Sequence, residues 1–178
     1  MSVQRWEIDS SHSWLQFSVR HLAVGRVRGQ LARWSATVLA EGGRFDRATV
    51  AVLIDASSID TGVAERDAHL RSREFLSVER YPDIRFEGAG VRARGRLGLE
   101  GALTVRGVTR PLRLDVARSG RATDLFGNER VAFTARGHLD RRDFGLTWNR
   151  LLEAGGALVG DRVDVEIDVE AVRQASAA

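Results

Sequence analysis

Cysteine is absent from this 178-residue chain, which excludes a disulfide framework and thiolate metal ligands. Lysine is absent too, so all 27 basic residues are arginine. They face 24 acidic residues, and the net charge is only +3; the pI of about 10.7 chiefly reflects the missing lysines. The arginines are spread along the chain among Asp and Glu and form no basic stripe interleaved with stacking aromatics, so no nucleic-acid partner is expected. No apolar run approaches the ~18 residues of a membrane-spanning helix. The N-terminus, Met1 to Asp9, carries charge early and lacks the apolar stretch of a secretory signal, which leads us to expect a cytoplasmic protein with no integral membrane segment. Proline is scarce, at 2 residues, and with 43% apolar and 29% charged residues the composition is that of a folded chain. One domain over 1–178 is expected, with a disordered tail at 173–178.

What is present is alternation. Val163, Val165, Ile167 and Val169 take turns with Asp164, Glu166, Asp168 and Glu170, as in a strand with one dry and one solvated face. The same period runs through Leu15, Phe17 and Val19; Val50, Val52 and Ile54; Ile84 and Phe86; Leu97, Leu99, Leu103 and Val105; Leu112, Leu114 and Val116; and Val131, Phe133 and Ala135. Eight strands follow, near 12–21, 25–40, 48–55, 82–90, 92–106, 111–118, 129–140 and 160–172. Evenly spaced strands with one apolar face indicate an all-β protein, an antiparallel sandwich or barrel. An eight-stranded barrel is either packed solid or holds one apolar ligand, and periodicity alone does not separate these.

One segment breaks the alternation. Residues 63–76 concentrate Arg66, Asp67, His69, Leu70, Arg71 and Phe75 in a helical pattern before Tyr81-Pro82 returns the chain to a strand. Asp60 and Thr61 are expected to cap this helix. Asp67 and Arg71, spaced i,i+4, are expected to pair on its surface. Two readings compete: a salt-bridged cap inserting Leu70 and Phe75 into the barrel, or a set of cations holding an anionic head group at its mouth. Arg66, His69, Arg71 and, in its own loop, His12 are the head-group candidates; guanidinium forks suit phosphate oxygens. None of the four histidines has a metal-binding spacing, and a zinc site from Asp9, His12 and His69 is the weaker reading. No nucleophile elbow occurs. No catalytic residue, metal or cofactor is therefore assigned. Asp140-Arg-Arg-Asp143 reads as a bend held by local ion pairs, with Phe144 and Trp148 beyond it.

The motifs Asp9–Leu22, Val27-Arg-Gly29, Ser57–Thr61, Arg66–Leu70, Tyr81–Phe86, Leu103–Pro111 and Asp140–Leu146 occur in one order and together resemble the YceI family of lipocalin-like, polyisoprenoid-binding proteins. The resemblance covers about 6–172. It implies an antiparallel barrel with a helical segment, enclosing a long apolar tunnel for a polyprenyl chain. Leu31 stands where the family shows Phe after the Val-Arg-Gly motif. The ligand-facing set expected on these grounds is Leu15, Phe17, Val19, Leu31, Val50, Val52, Ile54, Leu70, Phe75, Ile84, Phe86, Leu103, Val105, Phe133, Phe144, Trp148 and Val165. The expected partner is an isoprenoid lipid, a polyprenyl phosphate or diphosphate or a prenylated quinone, bound for carriage, storage or protection. A homodimer is compatible with the sequence. The rival is an enzyme on the same barrel, using Arg66, Asp67, His69 or His12 for acid–base chemistry on an isoprenoid or polyketide-like substrate.

Overall fold

A computed structural model of the protein describes residues 2–22, 24–153 and 156–175. It contains eleven strands: β1 (Val3–Ile8), β2 (Trp14–His21), β3 (Gly25–Leu31), β4 (Trp34–Glu41), β5 (Thr49–Asp55), β6 (Ile59–Asp60), β7 (Asp83–Ala93), β8 (Arg96–Val105), β9 (Val108–Thr123), β10 (Glu129–Asp140) and β11 (Val159–Arg173). The one α-helix among the described residues, α1 (Ala64–Arg71), sits between β6 and β7. All pairings between strands are antiparallel, in the order β1-β4-β5-β7-β8-β9-β10-β11, and β11 returns to β1 to close the ring. Closure pairs every strand of that ring on both sides over part of its length, as a barrel requires; the end of β9 beyond Val116 is paired with β10 alone.

The eight-stranded count holds because three strands are bent. β11 takes two partners in turn: β2 between Val159 and Asp168, then β1 between Ala171 and Arg173. β1 and β2 are thus halves of one strand, broken by the 3₁₀ turn Ser10–His12. β3 and β4 are halves of a second, and β5 and β6 of a third, because β2 pairs β3, β3 pairs β6, and β4 pairs both β1 and β5. The strand expected over 25–40 therefore turns a corner at Ala32-Arg33, where Ser58 receives both amides. The inward face passes from odd positions in β3, ending at Leu31, to even positions in β4, beginning with Trp34, Ala36 and Val38, a one-residue change of phase at the corner.

Other boundaries differ from expectation. β1 was hidden in a short, charged N-terminal stretch. The hairpin turn Arg94-Gly95 falls inside the strand expected at 92–106. β9 extends well past 118, and the helix ends at Arg71 rather than 76. Residue 173 is no tail: Arg173 pairs with Trp6. The Gln174 amide donates to the Arg5 carbonyl (2.8 Å), and 176–178, the end of the expected tail, lie outside the described residues.

The interior holds two apolar clusters. At the end carrying α1, Leu15, Ile54, Ile84, Phe86, Leu103, Val105, Leu76 and Phe144 are buried together. Toward the opposite end, which carries the turns at 42–48, 94–95 and 124–128, Trp6, Ala40, Ala48, Val131 and Ala171 are buried with Phe45 and Phe133 against them. Phe45 rides on a 3₁₀ turn, Phe45–Arg47, laid across β7. A Cβ at position 90 would lie 1.9 Å from the Phe45 carbonyl oxygen, so only glycine lets this turn settle there.

Candidate functional site

Between the two clusters lies an apolar cavity of about 120 Å³. Ile8, Leu15, Trp34, Val38, Phe45, Val50, Val52, Leu97, Leu99, Leu114, Val116, Phe133, Ala135, Ile167 and Val169 are among its walls. No side chain lining it titrates. Its size is on the order of the ~150 Å³ aliphatic cavities that admit one benzene-sized molecule. The interior is thus a short chamber rather than the long tunnel expected. Side chains fill the remainder: the Phe86 ring, for example, lies over the facing glycines Gly88 and Gly101.

A wider recess of about 1050 Å³ adjoins the chamber at the turn-bearing end. Phe45, Leu97, Val116 and Phe133 wall both spaces. Phe45 is held by aromatic neighbours, with ring centroids 5.5 Å from Trp6 and 4.9 Å from Phe133. The recess is rimmed by Arg44, Arg92, Arg96 and Arg118. Asp46, between Arg44 (3.5 Å) and Arg92 (3.4 Å), is held below the usual carboxylate range, first by Arg44.

The expected ligand-facing residues divide between these regions. Leu15, Val50, Val52 and Phe133 line the chamber. Ile54, Ile84, Phe86, Leu103, Val105 and Phe144 are buried in the helix-end cluster, with Phe17, Leu31 and Leu70 packed on it. Val19 and Val165 are half-buried on the same barrel face. Phe75 is buried, and Trp148 and His69 stack against it at 5.3 and 5.1 Å. Phe45 escaped the sequence reading because it stands in a glycine-rich turn with no alternation around it. Leu97, Leu114, Val116 and Ile167 carried the same period-2 signal as the residues chosen.

Each head-group candidate is engaged by a neighbouring group of the protein. Arg71 donates to the carbonyls of Ser57 (2.8 Å) and Ile59 (2.7 Å). Arg66 donates to Thr61 Oγ1 (2.7 Å) and to the Thr61 carbonyl (3.0 Å). His69 meets Glu74 (2.5 Å), and His12 meets Asp9 (3.0 Å). The expected Asp67–Arg71 ion pair does not form. Buried Asp67 instead accepts from the Thr61 amide (2.9 Å) and hydroxyl (2.5 Å), tying the helix to the segment before it. The cap itself is Val63, without a side-chain bond; Asp60 accepts from Gly62 N instead. These bonds hold α1 over the barrel end. Of the acid–base set, Arg66 and Asp67 meet at the Thr61 hydroxyl, His69 pairs with Glu74 and His12 with Asp9, and none of the four lines the chamber.

Asp9, His12 and Glu170 do come within metal-ligating reach of one another, whereas His69 lies with Glu74 and Phe75. Arg130 already supplies positive charge there, donating to Asp9 (2.8 Å), Glu170 (2.5 Å) and Asp124 (2.9 Å). Asp124 is held well below the usual carboxylate range, first by Arg130; Asp9 is lowered too, first by the Ser11 hydroxyl and then by Arg130. Depressed folded values stabilise the fold above the ordinary carboxylate pKa of ~3.9, and that contribution is lost as pH falls below it. The melting temperature is expected to drop on acidification below about pH 4. The drop should be smaller in Arg130→Ala, which has less stabilisation to lose. Parallel acid profiles for both proteins would refute this account.

Comparison with known proteins places the chain. A YceI-like domain model matches residues 6–171. The chain is 33% identical to UPF0312 protein ECA1782 of Pectobacterium atrosepticum over 171 residues, covering 96% of this chain and 86% of that protein. It is also 33% identical to Protein YceI of Salmonella newport over 167 residues, covering 93% and 84%. Among solved structures, Burkholderia cenocepacia BcnA superposes with a TM-score of 0.77 at 18% identity, over 92% of this chain and 98% of that one. A polyisoprenoid binding domain from Saccharophagus degradans gives 0.68 at 14% identity, over 95% and 98%. At these identities the two structures speak for the fold alone. No helix among the described residues is long and apolar enough to cross a membrane.

Proposed function

The chain belongs to the YceI-like family, and from that premise we propose that it binds an isoprenoid lipid, with the apolar chain entering the barrel through the turn-bearing end. The observation that carries this reading is that the apolar chamber and the arginine-rimmed recess abut, with Phe45, Leu97, Val116 and Phe133 as their common wall. A chain passing between them exchanges water for dispersion contacts along its whole length. Burial is worth ~0.8 kcal/mol per CH2-sized group, hence roughly 3–4 kcal/mol per isoprene unit before ordering costs. The chamber takes about one such unit. A polyprenyl chain therefore requires Phe45 and its turn to move outward, and uptake should be slow relative to diffusion.

The solved domain from Saccharophagus degradans is described as polyisoprenoid-binding, and the shared fold supports the same ligand class here. An apolar lining without acid, base or nucleophile supports binding without turnover. The test is titration with a polyprenyl phosphate and with a prenylated quinone, read by native mass spectrometry and followed by recovery of the ligand. Saturable one-to-one binding of unaltered ligand is expected. Filling the chamber with Val52→Phe or Val116→Phe should weaken it by about tenfold or more, since each displaces one or more buried CH2-sized groups. Conversion to a new product would establish the enzyme reading, and binding indifferent to both fillings would place the ligand elsewhere.

A further inference from the structure

We infer that the turn-bearing end of the barrel docks on an anionic lipid bilayer, with Leu125 and Phe126 entering the membrane and the arginine rim lying on its head groups. The β9–β10 hairpin carries the first part of the argument. β8 begins at Arg96 and its pairing with β9 stops at Leu97↔Val116, so β9 from 117 onward has only β10 beside it. Residues 117–123 are exposed on both faces, while β10 stays paired with β11 up to Arg130↔Val172, so the turn at 124–128 is the part that extends beyond the ring. At its tip Leu125 is wholly exposed and Phe126 is 88% exposed. Exposing two large apolar side chains side by side in water is unfavourable, and a paired, projecting exposure marks a contact surface.

The tip is also built to stay in shape. Asp124 accepts the amides of Phe126 and Asn128, both at 2.9 Å, and its other oxygen receives Arg130 (2.9 Å). Its own amide bonds the Asn128 carbonyl (3.0 Å). The two apolar side chains are thus presented by a braced turn instead of a loose loop.

Charge supplies the second part. The same end gathers Arg44, Arg92, Arg94, Arg96 and Arg118. Among the described residues, Arg94, Arg96 and Arg118 make no ion pair, and Asp46 is shared by Arg44 and Arg92. Of the nearby acids, Asp124 and Glu129 are already bound by arginines, leaving Glu41 and Asp115 without ion pairs among the described residues. Arginines around an apolar projection match a bilayer with anionic head groups: the cations stay in the head-group layer while the aromatic and aliphatic tips go deeper. The opposite end also exposes Val24 and Leu151. It is sealed beneath by the cluster around Phe144 and Leu76, so docking there would open onto no chamber. Docking at the turn-bearing end would set the recess and Phe45 against the membrane, where an apolar chain passes without crossing water. That consequence rests on the lipid-binding reading; the docking itself does not.

The experiment is vesicle co-sedimentation of the full chain without any isoprenoid, using phosphatidylcholine alone and equal parts phosphatidylcholine and phosphatidylglycerol. The protein should pellet with the mixed vesicles, and added salt should release it because screening weakens exposed charge attraction. The double variant Leu125→Ser/Phe126→Ser and the double variant Arg94→Glu/Arg96→Glu should each weaken binding by about tenfold or more. Leu151→Ser should bind as the parent does. All of these side chains are exposed, and unchanged melting curves confirm that the fold is intact. Because the chain has no cysteine, Phe126→Cys carrying an environment-sensitive fluorophore gives a second readout. Its emission should shift to the blue on mixed vesicles, while the same label at Leu151→Cys stays unchanged. Absence of pelleting with mixed vesicles, equal pelleting with neutral ones, or indifference to both double variants overturns the proposal. Failure of lipid uptake with docking intact would instead fall on the chamber reading.

Discussion

Trp6→Ala is expected to lower the melting temperature by roughly 6–20 °C. Trp6 is fully buried at the centre of the turn-end cluster, with Phe45 against its ring and Ala40, Val131 and Ala171 packed around it. Truncating a buried Trp costs ~3–5 kcal/mol, through lost transfer energy and the cavity left behind. At this chain length 1 kcal/mol corresponds to about 2–4 °C. The variant also removes the support behind Phe45, so lipid uptake should become faster even as the fold weakens. Trp6→Phe is the control. The indole Nε1–H is buried with no hydrogen-bond partner among the described residues, and phenylalanine deletes that donor while keeping most of the ring. It should cost less than half as much. Thermal melts of the two variants decide it: equal losses would show that ring volume is not what holds this end together.

Arg141→Met is expected to destabilise by about 3–5 kcal/mol, because several carbonyls around the buried guanidinium lose their donor at ~1–3 kcal/mol each. The Arg141 side chain is almost wholly buried, and burial pulls its pKa downward against the pull of Asp161. Its guanidinium donates to the carbonyls of Leu146 (2.6 Å), Trp148 (2.9 Å) and Gly160 (2.9 Å) and to Asp161 (3.1 Å). It pins the connection from the 3₁₀ turn Arg141–Phe144 to β11, a connection whose described residues have no regular structure beyond one bridge, Leu151↔Ala157. Without it these carbonyls lose a shared donor, and each buried acceptor left unpaired costs ~1–3 kcal/mol. Tryptic cleavage at Arg150 should accelerate together with the fall in melting temperature. Arg142→Met, beside it but exposed and paired with Asp140 and Asp161, should stay within about ±0.5 kcal/mol of the parent. If the two substitutions behave alike, the buried pin is not what orders this connection.

These two residues show how far the sequence could be read. Trp6 stands in Val3–Ile8, whose charged flanks masked a strand of the barrel. Arg141 lies in Asp140-Arg-Arg-Asp143, which reads as a bend held by local ion pairs. That reading suits Arg142, which bonds Asp140, but not its neighbour. Two identical side chains in sequence go to opposite places because the local turn aims one inward, and only the packed loop beyond decides which. Arg66 and Arg71 repeat the lesson. Their helical spacing invited an anion site, but the segment before the helix runs close enough for their donors to reach its carbonyls.

By itself the sequence determined the all-β class, the eight strands of the closed ring and the inward face of nearly every one. A side-chain period of two is a local property of extended backbone, and burial of one face leaves it written in the residues. The single helical interruption was legible for the same reason, since the period changes there. Only the tertiary structure decided where three strands bend, how much of the interior is filled, and where the chamber meets the recess. Alternation reports which side a residue faces and says nothing of what stands opposite it. The chamber's volume depends on rings such as Phe86 lying over cross-strand glycines, and its closure on a turn that fits against Gly90, both distances between residues far apart in the chain.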